Sequence, residues 1–176
     1  VQRADVAMHD APPAQAGRGR VLNRLCEAEL ERRAGRFDPA AVAAQAALDA
    51  AQALALPNDA ALAAQLSALI AIDAGRGELA QARWQMAQEL AGCVAGRCVL
   101  DSPERLQLRA QWLARQGEFE RAFAVLDAAL GDAGWTAGML ALPGLEGMHG
   151  DPRWPGLQQK LASRMAVDGT PPVLAR

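Results

Sequence analysis

The stretch GEFERAFAVLDAAL, residues 117–130, decides the fold of this 176-residue chain. Its apolar residues fall at i, i+3, i+4, i+7, i+10 and i+11, and they are Phe119, Ala122, Phe123, Leu126, Ala129 and Leu130. This spacing puts all of these side chains on one stripe of an α-helix. Gly117 precedes the stripe, and glycine readily adopts the positive φ that ends a helix. The stretch therefore predicts a turn followed by a helix with one buried face.

The turn at Gly117 has two counterparts earlier in the chain. The three turns read RAGRF at 33–37, GRGEL at 75–79 and RQGEF at 115–119. Each has glycine in its third position, and a large apolar residue in its fifth position is expected to hold the next helix against the previous one. The glycines Gly35, Gly77 and Gly117 are separated by 42 and 40 residues. Three helical hairpins at a near-constant period predict an α-solenoid.

The composition predicts an all-α protein. Apolar residues make up 51% of the sequence, whereas aromatic residues make up only 4% and tyrosine is absent. Much of the apolar content is alanine, the strongest helix former, because it loses no side-chain entropy in a helix. β-branched residues are scarce, and no stretch has the alternation of apolar and polar residues that is typical of a strand.

Charge and hydropathy limit the classes of partner that the chain is expected to have. The net charge is −2, so a basic footprint for nucleic acid or for an anionic membrane surface is not expected. No apolar run approaches the ~18 residues that a membrane span needs. We therefore expect no nucleic-acid partner and no membrane insertion of this segment.

The residues between two aperiodic ends form the predicted helical domain. Residues 1–17 and 168–176 are rich in small residues, proline and aspartate, and they are predicted to be flexible tails. In the domain, 18–167, Asp38 is expected to cap the second helix, and Pro57 to end it. Asn58 or Asp59 would cap the third helix, and Ser102 the fifth. A short helix is predicted at 135–142, and a last one from Asp151.

The third hairpin resembles a tetratricopeptide repeat. In its second helix the matching positions are Gly117, Phe119, Ala122, Leu126 and Ala129, and in its first helix they are Leu106, Ala110 and Leu113. Arg109 departs from the pattern, because the family usually has leucine there. The resemblance covers residues 103–131 well and 18–91 weakly. It implies a stack of three hairpins followed by a C-terminal capping helix.

The resemblance also implies where a partner would bind. In this family the first helices of successive hairpins line a concave groove that holds a peptide or partner segment. The register of the third hairpin carries this role to Gln107, Gln111 and Arg115, and Trp112 lies beside them. In the first two hairpins the same register gives Leu25, Glu29, Arg32, Ser67 and Ala71.

A second resemblance concerns the stretch GMHGDPRWPGLQQKL at 147–161. It is similar to the segment that closes tetratricopeptide regions in bacterial signalling proteins, including winged-helix transmembrane regulators, adenylate cyclases and receptor kinases. The matching residues are Asp151, Pro152, Arg153, Trp154 and Leu157. This similarity implies a capping helix and a larger signalling or regulatory protein of bacterial origin.

The cysteines leave two alternatives open. Cys93 and Cys98 flank a short glycine-containing loop, where either a disulfide or a pair of thiols is compatible with the spacing. A disulfide would indicate an oxidising compartment such as the bacterial periplasm, and thiols would suit the cytoplasm. Cys26 lies among apolar residues of the first helix, so it is predicted to be a small buried hydrophobe.

No set of residues in the sequence predicts catalysis, a metal site or a cofactor. His9 and His149 lie in a tail and a glycine-rich loop, and neither belongs to a recognisable catalytic set. Metal ligation by Cys93 and Cys98 would need further cysteines or histidines nearby. The arginines of 18–36 interleave with glutamates, which indicates a solvated face rather than a phosphate site.

The sequence therefore predicts a non-catalytic protein-interaction or sensor module that binds a protein or peptide in a helical groove. The alternative is a self-association domain, in which an apolar end of the solenoid forms a homodimer. A small-molecule sensor or an enzyme is the third and least favoured hypothesis, because no set of convergent titratable groups is visible. We expect the module to be periplasmic, with the cytoplasm as the alternative.

Overall fold

A computed structural model describes residues 13–93, 98–99, 102–129 and 144–167. Over these ranges the chain forms seven α-helices and one 3₁₀ turn, with no strand, which confirms the all-α class. The helices are α1 (Pro13–Arg33), α2 (Phe37–Ala53), α3 (Pro57–Asp73), α4 (Gly77–Leu90), α5 (Pro103–Arg115), α6 (Phe119–Ala129) and α7 (Trp154–Val167), and the 3₁₀ turn is Glu146–Met148. The short helix predicted at 135–142 lies outside the described residues.

The chain divides into two compact units, Val1–Asp101 and Ser102–Arg176. In the first unit α2 packs against both α1 and α3, α3 packs against α4, and α1 also contacts α3. In the second unit α5 packs against α6, and the 3₁₀ turn and α7 complete the core. The first unit thus holds the first two hairpins, and the second unit holds the third hairpin with the capping helix.

Most of the turns share one geometry. Gly35, Gly75 and Gly117 have φ of 72°, 73° and 74°, and Ala55 has φ of 52°. After each of them, the next N–H donates to the carbonyl five residues earlier, as in Leu56 N to Ala51 O at 2.9 Å. This left-handed cap, with its hydrogen bond to the carbonyl five residues earlier, ends a helix and satisfies carbonyls of its last turn. The next helix starts two residues after the left-handed residue.

Two predictions about the turns were wrong. In the second turn the left-handed residue is Gly75, whereas Gly77 is the first residue of α4. Leu79, expected to hold α4 in place, is 45% exposed. The turn between α2 and α3 uses Ala55, which was not predicted because a residue with a Cβ rarely adopts positive φ.

Several helix ends also differ from the prediction. Asp38 lies in the first turn of α2 and does not cap it, because the N-cap is Arg36 with no side-chain hydrogen bond. Pro57 starts α3 instead of ending α2, since proline fits the first position of a helix, and Leu56 is the N-cap there. α1 begins at Pro13, so the predicted N-terminal tail was too long. Ser102 is confirmed as the cap of α5, accepting a hydrogen bond from Arg105 N.

The core of the first unit consists largely of alanine. Its fully buried alanines are Ala28, Ala40, Ala44, Ala47, Ala51, Ala61, Ala63, Ala64, Ala68, Ala80, Ala87 and Ala91. Small side chains let helix axes approach closely, and Leu48, Leu66, Leu69, Ile70 and Trp84 fill the remaining space. The abundance of alanine is therefore a packing requirement as well as a source of helix propensity.

Two ion pairs fix α1 against α3. Arg18 Nε lies 3.0 Å from Asp59 Oδ2, and Arg32 Nη1 lies 2.7 Å from Asp73 Oδ2. Both pairs join residues 41 positions apart in sequence, and they are fourteen residues apart on each helix. The two helices therefore run in the same direction and in register, as the first helices of successive hairpins do in a repeat.

The core of the second unit joins α5, α6, the 3₁₀ turn and α7. Its buried residues are Ala110, Leu113, Ala114, Ala122, Phe123, Leu126, Ala129, Leu145, Met148, Trp154, Leu157 and Leu161. The residues predicted to form the stripe of α6 are all part of this cluster or packed against it, apart from Leu130, which lies outside the described residues. α7 thus covers the apolar face of the third hairpin.

Candidate functional site

The α5 residues predicted to line a groove are mostly buried. Gln111 is fully buried and Trp112 is 5% exposed, whereas Gln107 and Arg115 are half-buried. The Arg115 guanidinium lies against Gly144, where Nη1 would be 1.8 Å from a Cβ added to that glycine. Because Gln111 and Trp112 are buried, a partner could not reach them in this conformation. A partner-binding role for the four residues stays a prediction.

Most of the equivalent residues of the first two hairpins are also inaccessible or paired. Leu25 and Ala71 are buried, and Ser67 is half-buried. Arg32 is 3% exposed, which corrects the interpretation of the 18–36 arginines as a wholly solvated face. Its guanidinium donates to Glu29, with Nε to Oε2 at 2.8 Å, as well as to Asp73.

An open groove lies between α6 and α7 in the second unit. Its volume is about 460 Å³, and it is lined by Glu120, Phe123, Ala124, Asp127, Arg153, Gly156, Leu157 and Lys160. The buried rings and methyls of Phe123 and Leu157 contribute an apolar floor, and the small Ala124 and Gly156 leave room above it. A groove of this form can accept apolar side chains of a bound segment.

The two walls of the groove carry opposite charges. α6 contributes Glu120 and Asp127, α7 contributes Lys160, and Arg153 immediately precedes α7. Arg153 Nη1 lies 2.6 Å from Glu120 Oε2, and Lys160 Nζ lies 2.5 Å from Asp127 Oδ1. Glu120 and Asp127 are seven positions apart on α6, so the two pairs are about 10 Å apart along this helix. All four side chains are at least 40% exposed, so each pair contributes little to stability.

Arg153 is the most constrained of the groove residues. Its Cζ lies 4.3 Å from the centroid of the Phe123 ring, a cation–π contact. Its Nε and Nη2 donate to the two carboxylate oxygens of Asp151 at 2.8 and 2.7 Å. The hydrogen bond from the Arg153 side chain, reinforced by its backbone N–H, lowers the pKa of Asp151 to about 2.

Trp154 and His149, on either side of Asp151 and Arg153, make aromatic contacts. The Trp154 ring meets Phe123 edge to face with centroids 6.4 Å apart, and the His149 ring lies 4.5 Å from Trp154. His149 thus packs against an aromatic ring. The stretch Asp151–Trp154 anchors α7 to α6 and sets the position of the basic wall.

The structure pairs Cys93 with Cys98 in a disulfide directly after α4. Cys26, in contrast, is exposed, so its prediction as a buried hydrophobe was wrong. Within the described residues no group of three or more histidines, cysteines or carboxylates could hold a metal ion. No helix in the same ranges is long and apolar enough to cross a membrane.

The groove was not predicted, although its walls leave a signal in the sequence. Glu120 and Asp127 are spaced by seven residues, and so are Arg153 and Lys160. That spacing places Glu120 and Asp127 on one face of α6, but only the packing of α7 against α6 brings Arg153 and Lys160 to this face. No protein-family model, curated protein or solved structure matches this chain.

Proposed function

We propose that this chain is a non-catalytic interaction or sensor module that binds a protein or peptide segment, as part of a larger bacterial signalling or regulatory protein. The observation that carries the proposal is the groove between α6 and α7, with its apolar floor and its oppositely charged walls. The tetratricopeptide-like sequence of the third hairpin supports the same class of function. The Cys93–Cys98 disulfide supports an oxidising compartment such as the periplasm.

The form of the groove favours a peptide over a highly charged ligand. Its acidic and basic walls leave no net field to attract a polyanion or a polycation. A partner segment with an apolar residue between charged residues would fill the floor and replace the exposed ion pairs. Each replacement exchanges one weak surface pair for another, so most of the affinity comes from the apolar contact.

The proposal can be tested by peptide display on the oxidised protein. We expect a random peptide library to yield binders that contain an apolar residue with charged neighbours. Ala124→Arg, which fills the groove, should weaken these binders by at least about tenfold, since it removes the apolar contact. Ala128→Arg, on the exposed surface of the same helix, is the matched control and should change affinity little.

Ala124 and Ala128 are both exposed, so both variants should keep their fold. Circular dichroism and thermal unfolding would check this. Failure to enrich any peptide would contradict the proposal. Equal losses of affinity in the two variants would show that binding occurs elsewhere.

A further inference from the structure

The groove between α6 and α7 has room for an apolar side chain over its floor. Phe123 and Leu157 form this floor, and the two ion pairs that join the walls lie on either side of it. These pairs are about 10 Å apart along α6. A side chain of the size of leucine therefore fits between them without breaking either pair.

The stretch that follows α7 matches the groove in composition. It reads DGTPPVLAR, residues 168–176, and it belongs to the same compact unit as the groove. Its largest apolar side chains are the adjacent Val173 and Leu174, and the charged Asp168 and Arg176 lie on either side of them. Apolar residues between charged ones are the composition that an apolar floor between two ion pairs favours.

The length of this stretch also matches the distance to the floor. From the end of α7 at Val167 back to the level of Leu157 is ten residues of helix, about 15 Å. Five residues at about 3.1 Å each cover the same distance, so residues 170–174 are long enough to bring the apolar pair to the floor. Gly169 precedes them, at a place where the chain must reverse and glycine allows a tight turn. Pro171–Pro172 favours an extended backbone over continuation of the helix.

The charge after the apolar pair has a counterpart in the groove. Arg176 lies two residues beyond Leu174, which corresponds to about 6 Å of extended chain. Leu157 N donates to Arg153 O, so Arg153 lies one helical turn, about 5.4 Å, beyond the level of Leu157. At that level the carboxylate of Glu120 is 86% exposed and can accept a second cation beside Arg153.

We propose that residues 168–176 fold back along α7 and occupy the groove, with Val173 and Leu174 over its apolar floor. The inference rests on the proposed function, because it concerns the regulation of the same groove. A segment on a short linker has an effective concentration in the mM range, so a weak contact is enough to occupy the site. A partner peptide has to displace the segment, which lowers its apparent affinity.

Substitution of the apolar pair in the full oxidised chain tests the competition. Peptides selected on the variant Val173→Ser with Leu174→Ser should bind this variant at least about threefold more tightly than the unchanged chain, because the groove is no longer occupied. Ala175→Ser introduces the same side chain at the next position and is the matched control, with no expected change. Equal affinities of the double variant and the unchanged chain would overturn the inference.

Crosslinking within one chain tests the position of the segment without any peptide. In a Cys26→Ser background, Ala124→Cys combined with Leu174→Cys should react with a short bismaleimide to give a monomer in which one crosslinker consumes both thiols. Ala128→Cys combined with Leu174→Cys is the matched control, since Ala128 is exposed on α6 and does not line the groove. Crosslinking at position 124 no faster than at position 128 would contradict the inference.

The two experiments separate this inference from the proposed function. Peptides that bind the groove with equal affinity in the unchanged chain and the double variant would overturn the inference and leave the proposed function in place. Enrichment of no peptide on either chain, together with efficient crosslinking at position 124, would overturn the proposed function and support a groove that holds only its own segment.

Discussion

At the scale of single residues, the turns show how sequence and backbone constraint interact. Gly35, Gly75 and Gly117 adopt positive φ without penalty because they lack a Cβ. Ala55 adopts nearly the same conformation and carries the steric cost of a left-handed alanine, about 1–2 kcal/mol. The sequence predicts the turns at Gly35 and Gly117, but it places the second turn at Gly77 instead of Gly75. It cannot predict Ala55, because only the packing of α2 and α3 holds an alanine in this conformation.

Substitutions at Ala55 and Gly75 should therefore change the stability of the protein in opposite directions. Ala55→Gly should stabilise the protein by about 1 kcal/mol, and Gly75→Ala should destabilise it by about the same amount, since both change the cost of positive φ. A Cβ on Gly75 would meet nothing within 4 Å, so the effect comes from the backbone alone. Urea denaturation measures both changes.

Gly77→Ala is the control for the assignment of the second turn. Gly77 lies in α4 without positive φ, and a Cβ there would also meet nothing within 4 Å. Alanine should therefore stabilise by about 0.4–1 kcal/mol, because it restricts the unfolded chain. A destabilisation by Gly77→Ala, together with no effect of Gly75→Ala, would show that the left-handed residue had been misassigned.

Asp151 makes the stability of the protein depend on pH in the acidic range. Its pKa in the folded protein is about 2, below its ordinary value of 3.8. A group whose folded pKa is lowered stabilises the protein above its ordinary pKa, and this contribution is lost as the pH falls from about 4 to about 2. Asp151→Asn should lower the urea midpoint at pH 7, and its difference from the wild type should vanish near pH 2. Asp49→Asn, at an exposed site on α2, controls for the loss of one surface charge. A difference that is constant across this pH range would contradict the assignment.

At the scale of elements, the parallel alignment of α1 and α3 depends on a buried arginine. The Arg32 side chain is 1% exposed and bridges Glu29 of its own helix and Asp73 of α3. Burial raises the pKa of Glu29, but the hydrogen bonds and charges of Arg32 and Arg33 together outweigh this effect and lower the pKa overall. An arginine-rich helix alone does not reveal this arginine as the buried one, because neighbouring arginines differ only in the face on which they lie.

Arg32→Met should destabilise the protein by about 3 kcal/mol, because it leaves the charges of Glu29 and Asp73 without their buried partner. Arg33→Met is the matched control. Arg33 also binds Glu29, at 2.8 Å, but its side chain is 43% exposed, so its loss should cost less than about 1 kcal/mol. Thermal and urea unfolding of both variants distinguishes a buried bridge from a surface pair. Equal effects would mean that Arg32 is solvated in solution.

At the scale of the whole molecule, the fold class and the hairpins were predictable, whereas the groove was not. Apolar periodicity and turn glycines depend on neighbours in sequence, and they predict α5 and α6 well. The groove depends on how α7 docks on α6, which the sequence suggests only through a short motif at Asp151–Trp154. The exposure of Cys26 and the burial of Gln111 likewise depend on which face of each helix meets a neighbour.

The dense alanine core makes the first unit sensitive to added volume. Ala64 is fully buried in α3, so Ala64→Leu should destabilise the protein by about 1–3 kcal/mol through overpacking. Ala82→Leu, at an exposed position of α4, should change stability by less than about 0.5 kcal/mol. Tolerance of leucine at position 64, measured by urea denaturation, would mean that the helices are less closely packed than the structure indicates.

The turns at Gly35, Ala55 and Gly75 are spaced by twenty residues, and this equal spacing constrains how such a chain can change length. An insertion of twenty residues adds one helix and reverses the direction in which the chain continues. An insertion of forty adds two helices and restores it. Duplication or loss of a forty-residue segment such as 37–76 would thus preserve the direction of every following helix, so the natural increment of growth for this architecture is the pair of helices and not the single helix.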